Sequence, residues 1–181
     1  MTETFKPRII ATTDYVATLA QKLHDGQFDK GGHPYFLHVE AVGLSLRPFG
    51  DKAMMAGYLH DSIEDTAITL VELREIHGVP ESVLEAVKIV SRNLYPEEST
   101  YMDMIRKIAT DGSYTSRLVK IADNAHNSRS DRKIEGTTAE YLEFSRKRYA
   151  KAREILYPTV KNQDIAKILD FINPELLQEL R

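Results

Sequence analysis

An all-α, single-domain fold is what this sequence predicts, on three observations. Apolar residues recur at three- and four-residue spacing along most of the chain, helix-start signatures precede several of those segments, and no apolar–polar alternation is long enough for a sheet. Residues 12–24 set Val16, Leu19, Ala20 and Leu23 on one stripe that ends before Gly26. Asp51 is the expected cap of a segment to Leu59 whose Ala53, Met54, Met55, Ala56, Tyr58 and Leu59 leave almost no polar face, the pattern of a central, buried helix. Thr69 and Glu72 form a capping box, with Gly78 as the matching stop.

Pro80 suits the first turn of a helix carrying Val83, Leu84, Val87 and Val90. Residues 100–110 repeat the stripe with Tyr101, Ile105 and Ile108, and residues 116–127 with Leu118, Ile121, Ala122 and Ala125. Thr137 and Glu140 read as a second capping box, opening a long helix towards Leu156 that stops before Pro158. A short amphipathic helix with Ile165, Ile168 and Leu169 follows, and Pro174 begins a final turn or two. The expected organisation is one domain over 1–181, with a core at about 12–156 and a helical extension at 159–181. Irregular segments are expected at 25–35, 94–98, 111–115 and 128–136, where functional groups often gather.

Composition narrows the chemistry. With 42% hydrophobic and 28% charged residues and a net charge of −3, the chain lacks the basic excess of a nucleic-acid binder. It has no cysteine, so disulfides, thiolate metal sites and cysteine nucleophiles are excluded, and any metal must be held by nitrogen and oxygen. The N-terminus has no secretory apolar region and no run approaches a membrane span, so the expectation is a cytoplasmic protein with no membrane partner.

The densest chemical signal is Leu59-His60-Asp61-Ser62-Ile63-Glu64-Asp65-Thr66, a histidine and three carboxylates directly after the most apolar helix. Carboxylates in such a setting are costly unless paired or bound to a cation, although an exposed acidic face would carry the same letters. Read as one helix, it aligns His60 with Glu64 and Asp61 with Asp65. Two further segments carry donors: His33-Pro34-Tyr35-Phe36-Leu37-His38, where a histidine opens a helix after a glycine-bearing loop, and Lys120-Ile121-Ala122-Asp123-Asn124-Ala125-His126-Asn127. Singly, His38 would pass for a cap or core residue and Asp123 for a solvated helix residue. Together His38, His60, Asp61 and Asp123 make an N₂O₂ set suited to Mn, Fe, Co, Ni or Zn, with positions open for water and a phosphate oxygen. His24, His33 and His77 have no surroundings that favour a metal, and His126, about 100° from Asn127 on a helix, reads as structural.

In their order and separation these blocks resemble the HD-superfamily hydrolase domain of the RelA/SpoT alarmone enzymes, in its stand-alone small alarmone hydrolase form. The resemblance runs from Ala20 to Tyr149 and rests on His24-Asp25-Gly26-Gln27, Gly32-His33-Pro34-Tyr35 with His38, the block from Leu59 to Thr66, Lys120-Ile121-Ala122-Asp123 and His126-Asn127-Ser128-Arg129. It implies an HD-type helical bundle and a metal-dependent 3′-pyrophosphohydrolase of (p)ppGpp or (pp)pApp, releasing pyrophosphate. It implies a divalent ion, typically Mn²⁺, on His38, His60, Asp61 and Asp123, with Glu64 and Asp65 positioning and deprotonating the attacking water. It places Asn127 and Tyr149 against the nucleotide, Lys30 against the base, and Arg129, with Arg92, Arg106 and Lys107, near the phosphates. No synthetase-like region precedes Arg181, which implies degradation without synthesis. The partner is then a small nucleotide; the assembly, monomer or homodimer, is left open.

The sequence departs from the long alarmone enzymes in one informative place. Where they carry Arg-Lys-Ser-Gly, this chain has Asp29-Lys30-Gly31-Gly32. An ionised carboxylate only accepts hydrogen bonds, so Asp29 suits an exocyclic amino group and favours adenine over guanine. The segment 111–116 also reads as a longer loop than in those enzymes. Rival readings are an HD phosphohydrolase of another nucleotide, such as NADPH at its 2′-phosphate or a nucleoside triphosphate, and a nucleotide-sensing module without turnover.

Overall fold

The computed structural model describes residues 10–131 and 138–180. Its α-helices are α1 (Thr13–Leu23), α2 (Phe36–Ser45), α3 (Asp51–Leu59), α4 (Ser62–Asp65), α5 (Leu70–Glu75), α6 (Glu81–Val90), α7 (Tyr101–Asp111), α8 (Tyr114–Asn127), α9 (Ala139–Leu156) and α10 (Asn162–Ile172). Short 3₁₀ turns lie at Arg47–Phe49, Arg92–Leu94, Tyr157–Thr159 and Pro174–Leu180. Among the described residues there is no strand, only an isolated bridge between Phe28 and Pro34. The all-α expectation is met.

Local chemistry explains most boundaries. Thr12 caps α1 through its hydroxyl and the Tyr15 amide, and the Thr69–Glu72 capping box opens α5. A second box, Thr100 with Asp103, opens α7. The capping box expected at Thr137 lies outside the described residues; α9 is capped instead by the Thr138 hydroxyl, which accepts from the Tyr141 amide. Two starts differ by a residue. Gly50, at φ +88°, is the cap of α3, leaving Asp51 as its first residue, where a carboxylate still favours the positive helix end. Pro80 is likewise the cap of α6 and not part of its first turn. The longer loop read at 111–116 is absent: α7 runs to Asp111, Ser113 caps α8, and only Gly112 and Ser113 lie between them.

Helix α3 is the pillar of the fold. It is enclosed by α1, α2, α6 and α8, with Ala53, Met55, Ala56, Gly57, Tyr58 and Leu59 buried. Helix α2, whose start alone was legible, is nearly apolar all round because α3, α8 and α10 all pack on it. The α2–α3 crossing is close: a Cβ on Gly57 would lie 2.8 Å from the Gly43 Cα. Gly57→Ala must therefore push two backbones apart, and we expect a loss of about 1–3 kcal/mol in chemical denaturation. A loss below about 0.5 kcal/mol would show that the crossing yields easily. Helix α10 joins the same interior through Ile165, Ile168 and Leu169, all fully buried. Buried Arg153 ties the C-terminal turn to α8, pairing with Glu179 and donating to Asn124 and Ser128. Among the described residues no helix is long and apolar enough to cross a membrane.

Candidate metal centre

The polar cluster forms where the C-terminal end of α3, the first turn of α2 and the last turns of α8 meet. His38 and His60 are almost fully buried, 3% and 2% exposed, so their imidazoles face each other without solvent. The expected single helix through residues 60–65 does not form. His60 and Asp61 form a turn between α3 and α4. The His60 Nδ1 donates to the Gly57 carbonyl at 2.8 Å, occupying the oxygen that a continuing helix would give to the Asp61 amide. That carbonyl can only accept, so Nδ1 carries the hydrogen and Nε2 is aimed at the cluster.

The donors stand at ligand spacing. His60 Nε2 lies 3.2 Å from His38 Nε2 and 3.0 Å from Asp61 Oδ2, which is itself 3.3 Å from His38 Nε2. Asp123 Oδ1 lies 3.5 Å from His38 Nε2 and 3.8 Å from His60 Nε2. Bonds of roughly 2.1 Å to one ion impose donor separations of about 3.0–3.4 Å, so the His38–His60–Asp61 triad fits a divalent metal. Asp123 borders the two imidazoles and lies outside that closest triangle.

Electrostatics say the same. Burial alone would push His60 down, but Asp61 and Asp123 outweigh it and raise the imidazole to about 10. Burial would raise Asp61, yet His60 and His38 hold it well below the usual carboxylate range. Burial would raise Asp123 too, and Lys120 with the two histidines holds it down. Two carboxylates stay ionised around a proton that a cation would displace.

A surrounding layer fixes these donors. The Tyr35 hydroxyl donates to Asp61 Oδ2 at 2.7 Å, its own pKa driven up by burial and then by Asp61. His126 Nδ1 lies 2.8 Å from His38 Nδ1; for His38 to ligate through Nε2 its Nδ1 must donate, leaving His126 as acceptor. His126 thus sits behind His38, in contact with its Nδ1. Lys120 Nζ binds Asp123 Oδ2 at 2.8 Å and Asn127 Nδ2 donates to Asp123 Oδ1 at 2.5 Å. Sequence reasoning assigned no role to Tyr35 or Lys120. Their signal was adjacency: Tyr35 sits three residues before His38, and Lys120 three before Asp123.

The other sequence candidates scatter. Glu64 and Asp65 stand at the exposed rim one turn beyond Asp61, and partial burial of their carboxyls raises both pKa values. Glu64 Oε1 accepts from the Arg92 amide. Gln27 links the buried His24 to the Asp65 carbonyl, at 2.7 Å on each side, so His24 is an interior residue and not a surface one. Asp29 turns one oxygen on its own loop, accepting from the Gly31 and His33 amides at 2.8 and 2.9 Å. Lys30 reaches α9, donating to the Tyr141 hydroxyl at 3.1 Å. Tyr149 packs edge-on against Tyr101. Arg129 is drawn away, held by both oxygens of Asp131 and set against the Ile172 carbonyl. Arg106 and Lys107 pair with Asp103 and Asp111 on the outer face of α7.

No family model matches the chain. It is 34% identical over 120 residues to the guanosine-3′,5′-bis(diphosphate) 3′-pyrophosphohydrolase of Haemophilus influenzae, covering 62% of this chain and 17% of that protein. It is 34% identical over 143 residues to the GTP pyrophosphokinase of Streptomyces coelicolor, covering 76% and 16%. The bifunctional (p)ppGpp synthase/hydrolase SpoT of Escherichia coli K12 is 32% identical over 120 residues, covering 62% and 17%. The chain thus spans about a sixth of the length of the curated relatives it matches. A solved structure, of a metazoan ortholog of SpoT that hydrolyzes ppGpp and plays a role in starvation responses, aligns with a TM-score of 0.74 at 23% identity, over 97% of this chain and 99% of that one. That likeness establishes the fold.

Proposed function

Because the chain belongs with the HD-type RelA/SpoT relatives in sequence and fold, we propose that it is a metal-dependent 3′-pyrophosphohydrolase of alarmone nucleotides, (p)ppGpp or (pp)pApp. The observation that carries this is the His38–His60–Asp61 triad at ligand spacing, its two histidines buried, with Glu64 and Asp65 one turn beyond it. His38, His60, Asp61 and Asp123 would hold the divalent ion, with Mn²⁺ as the ion named by the family resemblance. Bound there, it would supply Lewis-acid polarisation of a phosphoryl oxygen and a lowered pKa for water.

The chain's own groups do the rest. Glu64 with Asp65 takes the proton of the attacking water, which requires ionised carboxylates. Water oxygen bonds to the phosphorus attached to the 3′-oxygen, the O3′–P bond breaks, the 3′-oxygen is protonated and pyrophosphate departs. Lys120 and Asn127 keep Asp123 ionised and oriented through both oxygens. Tyr35 orients Asp61 and His126 orients His38, which spares reorganisation during the reaction. Tyr149 and Lys30, both on or against α9, supply the wall for the nucleoside.

Asp29, an acceptor standing where the resemblance places arginine, supports a preference for adenine. The test is product analysis on ppGpp and ppApp with metal content measured on the same sample. We expect pyrophosphate release from both and about tenfold higher kcat/KM on ppApp, the worth of one well-placed hydrogen bond. A strong guanine preference would end the base assignment, and release of orthophosphate in place of pyrophosphate would end the reaction assignment.

A further inference from the structure

Helix α9 packs on α7, and where Tyr101 of α7 meets α9 an arginine sits among aromatic rings. The Arg148 guanidinium lies 5.1 Å from the ring centre of Tyr101, 5.7 Å from that of Phe144 and 4.9 Å from that of Tyr149. Its one hydrogen bond among the described residues goes from Nη2 to the Tyr149 hydroxyl at 3.2 Å, and its buried Nε has no acceptor. No carboxylate among the described residues pairs with it. Five cations on the same two helices are already paired: Arg146 and Lys147 with Glu143, Arg153 with Glu179, Arg106 with Asp103 and Lys107 with Asp111.

We propose that Arg148, seated among Tyr101, Phe144 and Tyr149, binds the 5′-phosphate of the nucleotide. The ligand's identity rests on the hydrolase reading above; the site rests on the geometry. A guanidinium stacked on aromatic faces keeps its in-plane N–H fork for an anion, and that fork donates without accepting, which suits phosphate. The buried, unpaired Nε is the donor that such an oxygen would satisfy. Location selects the phosphate. The Tyr101 ring that carries Arg148 also lies 5.6 Å from Lys120 Nζ, which binds Asp123 at the metal centre. With the 3′-diphosphate held at that centre, the phosphate left to reach Arg148 is the one on the 5′-carbon. The cluster reaches the surface, since Phe144 is 60% exposed.

The experiment is calorimetric binding of adenosine 3′,5′-bisphosphate and adenosine 3′-monophosphate to the full Mn²⁺-loaded chain. Wild type should prefer the bisphosphate by about tenfold or more, the value of a charge-assisted hydrogen bond. Arg148→Met, which keeps an apolar stem against the rings, should erase that preference while shifting the monophosphate by less than about twofold. Arg148→Lys keeps the charge and loses the fork, so it should fall between; it also decides the matter should the methionine variant not fold. Equal weakening of both ligands would make Arg148 a clamp between α7 and α9 and overturn the proposal. So would no change in either ligand, or a wild type that binds the two alike. These ligands are not turned over, so the result does not depend on pyrophosphate release. A chain that binds them yet releases nothing from ppApp or ppGpp would sink the hydrolase reading alone.

Discussion

Asp61→Ala should abolish pyrophosphate release and lower metal retention together. Asp61 Oδ2 stands within 3.3 Å of both imidazole Nε2 atoms and receives the Tyr35 hydroxyl. Its loss removes one edge of the ligand triangle, strands a buried hydroxyl and withdraws the charge that most strongly favours a cation on His60. Forfeiting the several kcal/mol of charge stabilisation that a bound ion supplies corresponds to a fall in kcat/KM of roughly three orders of magnitude. Chelation of wild type should reproduce the loss, and added Mn²⁺ should restore wild type but not the variant. Metal analysis and a pyrophosphate assay on one preparation check this. Turnover within about tenfold of wild type after chelation would remove the metal from the reaction.

Glu64→Gln should separate binding from chemistry. The Glu64 carboxylate stands at the rim, one turn beyond Asp61, so the variant should retain its metal while kcat drops by about 10² to 10⁴, with KM changed little. Glutamine is a cleaner replacement than alanine. Its carbonyl oxygen still accepts from the Arg92 amide, whereas Glu64→Ala would orphan that donor and confound rate with structure. The pH dependence carries a sign. Burial raises the Glu64 pKa, and the proton acceptor works only when ionised. Activity should therefore fall as pH drops through that raised value, at higher pH than an exposed glutamate would give. In Glu64→Gln the remaining acid limb belongs to Asp65, itself raised by burial and by Asp61. Near-normal kcat in Glu64→Gln would transfer proton abstraction to another group.

Much of the helical scaffold was open to inspection in the letters because its causes are local. The Thr69–Glu72 box, the apolar stripe of α1 and the apolar faces of α6, α7 and α8 all arise from residues within a few positions of one another. Where a boundary moved, a neighbour competed for the same role, as Gly50 did with Asp51 and Ser113 with the loop expected after Asp111. The run from His60 to Asp65 misled for a subtler reason. The helical face aligning His60 with Glu64 was sound geometry for a continuous helix, but His60 hydrogen-bonds back to Gly57 and the chain turns there.

By itself the sequence determined an all-helical chain, the Thr69–Glu72 capping box, an apolar central helix and an N,O-only donor set, since these follow from composition and from contacts within one or two turns. Only the tertiary structure decided which donors converge. It brought His38, from one helix, to within 3.5 Å of Asp123 from another, and recruited Tyr35, Lys120 and His126 behind them. It also spent Arg129 on Asp131 and one oxygen of Asp29 on loop amides, while leaving Arg148 between aromatic rings with a donor to spare. The physical reason is that a long side chain takes whichever partner folding delivers. Letters far apart in the chain record which charges exist, and the packing of α2, α3, α7, α8 and α9 settles where they are used.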